Sequence, residues 1–252
     1  MRRSSTATLV VVAISAIWGS TFFIIKDAVG RIDPVDFLAV RFAIGAAIPA
    51  VIFHRRLLRL GRRQWLMGLA LGVIFGLAQI AQTIGLAHTD ASVSGFITGT
   101  HVIITPLLLW LMFRARLAGG TWVAVALAVV GLGVLSLRGM AAGGVGELLT
   151  LLGAALYAVH IIFLDRWSRS SDAMSLTVVQ LIGIALTVGV GAAPGGYEMP
   201  PDGVVWGAVL YTAIAAGIVT MLAQTWAQRF ITPTRIALLF TLEPVFASVF
   251  AV

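Results

Sequence analysis

Residues 223–252, AQTWAQRFITPTRIALLFTLEPVFASVFAV, are apolar enough to lie in a membrane, yet they carry Glu243 followed by Pro244 in the last hydrophobic run. An ionisable side chain at mid-bilayer costs at least about 2.5 kcal/mol, so Glu243 reads as functional by default. An earlier stretch, residues 81–113, AQTIGLAHTDASVSGFITGTHVIITPLLLWLMF, also begins Ala-Gln-Thr. Laid on the first, it sets His101 opposite Glu243.

Composition points the same way. The 252 residues are 60% hydrophobic and 11% charged, with a mean hydropathy of +1.02. An ordinary soluble domain carries about a quarter charged residues. The length suits roughly nine helices of about 20 residues with short loops. A net charge of +7 invites a nucleic-acid reading, but the arginines sit in short loops between apolar runs, where they report topology instead. No nucleic-acid partner is expected. The chain has no cysteine, which excludes disulfides and thiolate metal sites. The start, MRRSSTATLVVVAISAIWGS, resembles a signal peptide, but its apolar run continues to Ile25 and reads as a retained first span.

Nine spans follow in order. They are about Ala7–Ile25, Phe37–Phe53, Trp65–Leu86, Ala91–Phe113, Trp122–Leu137, Glu147–Leu164, Met174–Ala193, Val204–Gln228, and Thr234 onward. The third carries Gly68, Gly72 and Gly76, a small-residue stripe that lets another helix approach closely. The Gly-rich stretch Arg138–Gly146 is the expected joint between two halves, 1–142 and 143–252. With the N-terminus inside, the inner segments hold thirteen arginines, and the outer loops hold Lys26, Arg31 and Arg138. That asymmetry predicts a multi-pass inner-membrane protein with a cytoplasmic N-terminus.

The halves read as two copies of one unit. Trp18–Lys26 laid on Tyr157–Asp165 aligns two aromatics, and the same offset sets Arg41 on Gln180. Three residues further, Gln82 meets Gln224 and His101 meets Glu243. A five-helix unit has an odd number of crossings, so its second copy enters from the opposite side. The predicted fold is therefore an all-α polytopic inverted repeat, with a site near mid-membrane between the halves. Nine helices are present of an expected ten, because the chain stops inside its ninth span, as a truncated product or incomplete gene reading would.

At these residues the chain resembles a known family. WGSTFFIIKDAVGRIDPVDFLAVRF is similar to the opening of the EamA-type transporters of the drug/metabolite transporter superfamily. GLAHTDASVSGFITGTHVIITPLLLWLMF looks like that family's fourth-helix region, and TPTRIALLFTLEPVFASVFAV like its counterpart in the second half. The family usually has Pro where this chain has Val102, and it continues into a tenth helix. The resemblance implies alternating-access export of a small metabolite, an amino acid or related solute. Export of drug-like cations, or a non-transporting membrane scaffold, are the alternatives. The expected partners are the lipid bilayer, a small-molecule substrate and, as an option, a second copy in a homodimer.

The candidate substrate-binding residues are Trp18, Gln82, His101, Tyr157, His160, Tyr211 and Glu243, with Glu243 also a candidate for proton coupling. Each has a structural alternative. Glu243 could pin backbone freed at Pro244, His101 could bond a neighbouring helix, and Gln82, Gln224 and Tyr211 could serve as helix–helix glue. Tyr157 and His160 lie three apart and share a helix face. Trp18 is too deep for an interfacial belt. Arg41 reads as snorkelling near the outer boundary. An enzyme is not expected. Ser94 has Ser92 where a serine-protease motif wants Gly, and neither a His-Glu-x-x-His pair nor a phosphate-binding loop occurs. No metal or cofactor is expected.

Overall fold

The structure is a computed structural model that describes residues 2–115 and 144–250, with 119, 120, 122, 123, 126, 127 and 130. Its helices are α1 (Arg2–Ala28), α2 (Pro34–Ile52), α3 (His54–Leu57), α4 (Arg62–Ala87), α5 (Ala91–Thr98), α6 (His101–Phe113), α7 (Val145–Ser168) and α8 (Ala173–Ala192). They continue with α9 (Gly203–Ala213), a π-helical turn (Ile214–Val219), α10 (Thr220–Ala227), α11 (Pro233–Phe240) and α12 (Leu242–Phe250). Among the described residues the regular structure is all helical, as a lipid-exposed backbone demands, because helices satisfy their own amides and carbonyls.

Seven helical stretches are long and apolar enough to cross a membrane. They correspond to the first four and the sixth to eighth predicted spans. Most of the fifth predicted span, Trp122–Leu137, lies outside the described residues, as do Arg116 and Arg138. The ninth is two short helices, α11 and α12, rather than one.

The starts of these helices are written in the sequence. Asp33 accepts from the amides of Val35 and Asp36, and Pro34 supplies the first helical residue of α2. Asp172 accepts from the Ser175 amide at 3.0 Å. Asp202 accepts from the amides of Val204 and Val205 at 2.9 Å each. The Val205 amide, helped by Arg31, holds the Asp202 carboxyl below the usual carboxylate range.

Contacts at the helix ends fix the direction of each helix. At one face Arg235 donates to Thr8 at 3.1 Å, Arg56 pairs with Asp172 at 3.8 Å, and Arg166 lies 3.8 Å over the Phe113 ring. The first joins the starts of α11 and α1, the second joins α3, just past the end of α2, to the start of α8, and the third joins the ends of α7 and α6. At the other face Lys26 donates to the carbonyls of Leu86, Ala87 and Thr89, Thr89 donates to Glu147 at 2.8 Å, and Arg31 pairs with Asp202 at 3.3 Å. So α1 leaves the arginine-rich face and its repeat mate α7 returns to it. The same opposition holds for α2 and α8, for α4 and α9–α10, and for α5–α6 and α11–α12. The two units are inverted. The pairings match as well: α4 packs along α7 and α8, as α9–α10 packs along α1 and α2.

The glycine stripe of α4 is what brings α8 close. A Cβ on Gly68 would lie 2.5 Å from Val179 Cγ1. One on Gly72 would lie 2.5 Å from the Gln180 carbonyl oxygen and 2.6 Å from Gly183 Cα, and one on Gly76 would lie 2.9 Å from Thr187 Cβ. At Gly72 the obstacle is backbone, which cannot rotate away. We expect Gly72→Ala to lower stability by about 1–3 kcal/mol, read as a lower melting temperature of the detergent-purified protein. Gly207, with nothing within 4 Å of a Cβ there, should tolerate Ala or gain slightly.

Candidate functional site

Two helices break at the centre of the molecule. Between α5 and α6, and between α11 and α12, the backbone tightens to i→i+3 hydrogen bonds: Thr100 N to the Ile97 carbonyl at 3.0 Å, and Thr241 N to the Leu238 carbonyl at 3.3 Å. Each break has a threonine whose hydroxyl donates to the carbonyl three residues back, Thr100 to Ile97 and Thr241 to Leu238, both at 2.6 Å. Such back-bonding bends helices. Pro244 adds to the second break, because it cannot donate to the Phe240 carbonyl. The breaks face each other, with a Cβ on Gly99 standing 3.3 Å from Pro244 Cγ. The first turn of α12 also presses on α1. A Cβ on Gly19 would stand 2.8 Å from the Glu243 carbonyl oxygen, so only glycine fits beside Trp18.

Around this crossing lies a cavity of about 60 Å³, room for about four waters. Its wall includes Trp18, Gln82, His101, Tyr157, His160 and Glu243, drawn from five spans. Of the sequence-predicted candidates, Tyr211 is placed elsewhere. It is 37% exposed, lies off the cavity wall, and shares a 2.8 Å hydrogen bond with Ser20 in the groove between α1 and α9.

The wall holds a directed hydrogen-bond chain. Arg41 Nη1 donates to Gln79 Oε1 at 3.3 Å, and Gln79 Nε2 donates to the Tyr157 hydroxyl at 2.5 Å. Tyr157 donates to Gln82 Oε1 at 2.8 Å, and Gln82 Nε2 donates to Thr98 Oγ1 at 2.8 Å. Each member donates onward, so the chain carries polarity from the cation on α2, across α4 and α7, to the break at the end of α5.

His101 and Glu243 both reach the cavity, but no described hydrogen bond or ion pair joins them. His101 is tied to its own helix, with Nδ1 2.6 Å from the Thr98 carbonyl. A carbonyl only accepts, so Nδ1 carries the proton and Nε2 of the neutral ring is an acceptor. That Nε2 is buried and has no protein partner. Gln224 Oε1 and Arg41 Nε, on the same wall, are likewise buried and unpartnered. On the far side His160 Nε2 meets Gln180 Oε1 at 2.7 Å. Trp18 Nε1 donates to the Ala216 carbonyl and to Thr220 Oγ1, both at 3.0 Å, in and beside the π turn, and its ring lies 5.0 Å from Phe240. Among the described residues no three His, Asp or Glu side chains gather where an ion could be held.

Gln79 and Arg41, which begin the donor chain, are among the wall residues outside the sequence-predicted candidates. Gln79 lies three residues before Gln82 and so on the same face of α4, a legible signal. Arg41 is 4% exposed and faces the cavity, not the boundary where snorkelling would put it.

The model of the EamA-like transporter family matches residues 5–137 and 144–252. An uncharacterized transporter of Archaeoglobus fulgidus is 30% identical over 246 residues, covering 98% of this chain and 77% of that protein. A solved crystal structure with 19% sequence identity has a TM-score of 0.74 over 97% of this chain and 86% of its own, a likeness of fold.

Removing the hydroxyl at the middle of the chain tests whether it is formed. Tyr157→Phe leaves the Gln79 amide and the Gln82 carbonyl without their partner. It should lower stability by about 1–2 kcal/mol in thermal unfolding of the detergent-solubilised protein. An unchanged melting temperature would show that the two glutamines are satisfied otherwise.

Proposed function

We propose that this chain, which belongs to the EamA-like transporter family and so to the drug/metabolite transporter superfamily, exports a small metabolite by alternating access. The solute is an amino acid or a related compound, and the membrane is the inner membrane. The observation that carries this reading is the polar cavity at the crossing of two broken helices, between units that run in opposite directions. Discontinuous helices at mid-membrane, meeting at a repeat interface, are where secondary transporters bind their cargo. The cavity's size supports motion. About 60 Å³ is well below the roughly 300 Å³ of an occupied small-molecule site, so the units, taken as 1–142 and 143–252, must part to admit a solute. We assign no catalytic step to the chain.

Glu243 is the acidic side chain of the wall, 7% exposed and placed two residues past the second break at Thr241. It holds a substrate amine or carries a coupling proton between the two faces. Trp18, Gln82, His101, Tyr157 and His160 shape the wall around it. A second reading, export of drug-like cations, draws on the aromatic lining of Trp18, Phe75, Tyr157 and Phe240, since ring faces attract cations. The arginine-rich face is the cytoplasmic one, with the N-terminus inside.

Two measurements test this. In proteoliposomes, Glu243→Gln should slow transport about tenfold or more, equivalent to about 1.4 kcal/mol, or abolish its pH dependence. Unchanged flux with unchanged pH dependence removes Glu243 from the mechanism. The absence of native cysteine makes orientation directly readable. In intact cells Tyr197→Cys should label with an impermeant maleimide and Arg59→Cys should not, and the reverse pattern would invert the topology.

A further inference from the structure

We infer that Arg41 is an anion subsite, so that the transported solute carries a carboxylate and seats it on the Nε/Nη2 edge of this guanidinium. The inference rests on reading the cavity as the substrate site.

Arg41 sits seven residues into α2, 4% exposed, on the cavity wall. A buried cation ordinarily has a carboxylate partner. Among the described residues Arg41 has none: the four ion pairs formed elsewhere involve Asp27, Asp202, Asp172 and Asp165. Its own ties are neutral. Nη1 donates to Gln79, and the guanidinium lies 4.7 Å from the centre of the Phe42 ring. Together these hold the plane of the group and occupy one of its corners. What remains is the edge carrying Nε, which is buried and unpartnered, and that edge matches the two oxygens of a carboxylate in parallel hydrogen bonds.

The charge on the wall selects the ligand further. Arg41 is the one lysine or arginine among the cavity-lining residues. A single fixed cation balances a monoanion, whereas a phosphate ester brings up to two charges. A carboxylate therefore fits better than a phosphate. The drug-like cation reading fares poorly in turn, because a cationic solute without an anionic group would leave the open edge of Arg41 unfilled.

The test uses the purified full chain in detergent and reads binding by thermal shift, which requires no transport. The probes are the standard L-amino acids, each beside its α-amide and its decarboxylated amine. Binding should be confined to carboxylate-bearing probes. Arg41→Gln should weaken it about thirtyfold or more while leaving any residual amide binding unchanged. Arg41→Lys, which keeps the charge but loses the flat edge, should fall in between. Both variants are checked for monodisperse elution. If the glutamine variant does not fold, the wild-type acid-against-amide comparison and the lysine variant still decide. Amides or amines binding as tightly as the acids would overturn the proposal. So would an equal loss for acid and amide in Arg41→Gln, or the absence of any carboxylate-bearing binder. Carboxylate binding without flux in proteoliposomes keeps the subsite and removes the transport reading. Carboxylate flux untouched by Arg41→Gln does the opposite.

Discussion

Everything at the centre of this molecule depends on two helices being broken at the same depth and crossing there. A continuous helix offers a membrane interior only side chains, because its backbone groups are spent on one another. The turns at Thr100 and Thr241 change that. They shorten the helix locally, reset the direction of the following segment, and let Gly99 of one break meet Pro244 of the other. His101 and Glu243 are where they are because they are the first residues to benefit. Each lies within two residues after a break, on a helix start facing the space that the crossing opens.

The wall around that space is not symmetric, although the order of the helices repeats. On one side Arg41 begins a chain of donors through Gln79, Tyr157 and Gln82 to Thr98. The repeat mate of Arg41 is Gln180, which is neutral and bound to His160. A twofold scaffold thus carries a permanent charge in one half and a titratable acid, Glu243, in the other. That difference gives the cavity two chemically unlike sides.

Much of this was legible in the sequence. Hydropathy located the spans, arginine placement sorted the loops, and the Gly68–Gly72–Gly76 stripe marked the α4–α8 contact before any coordinate did. The odd number of helices per unit implied the inversion that the helix-end contacts display. What was not legible has physical reasons. The ninth span was read as one helix because composition carries no record of an i→i+3 turn. The paired threonines at 100 and 241 were the available signal. Arg41 was read as peripheral because the second span was started at Phe37. The helix starts at Pro34, and seven residues at about 1.5 Å each put Arg41 some 10 Å past that start, against about 6 Å from Phe37. The alignment of His101 with Glu243 gave equivalence across a pseudo-twofold axis, which does not fix a distance, and the two do not bond. Tyr211 was chosen for its residue type, and type alone does not say which way a helix faces.

Lys26 has a meaning beyond its place at the end of α1. The sequence contains 17 basic side chains and this is the single lysine among them. Its ammonium group has three hydrogens in a tetrahedral spray, and it spends them on three carbonyls that the end of α4 leaves open: Leu86 at 2.8 Å, Ala87 at 3.1 Å and Thr89 at 2.8 Å. A flat guanidinium spreads its donors outward in one plane and matches such a convergent set less closely. The single lysine of the chain thus stands where the shape of the charged group, and not only its sign, matches the contact.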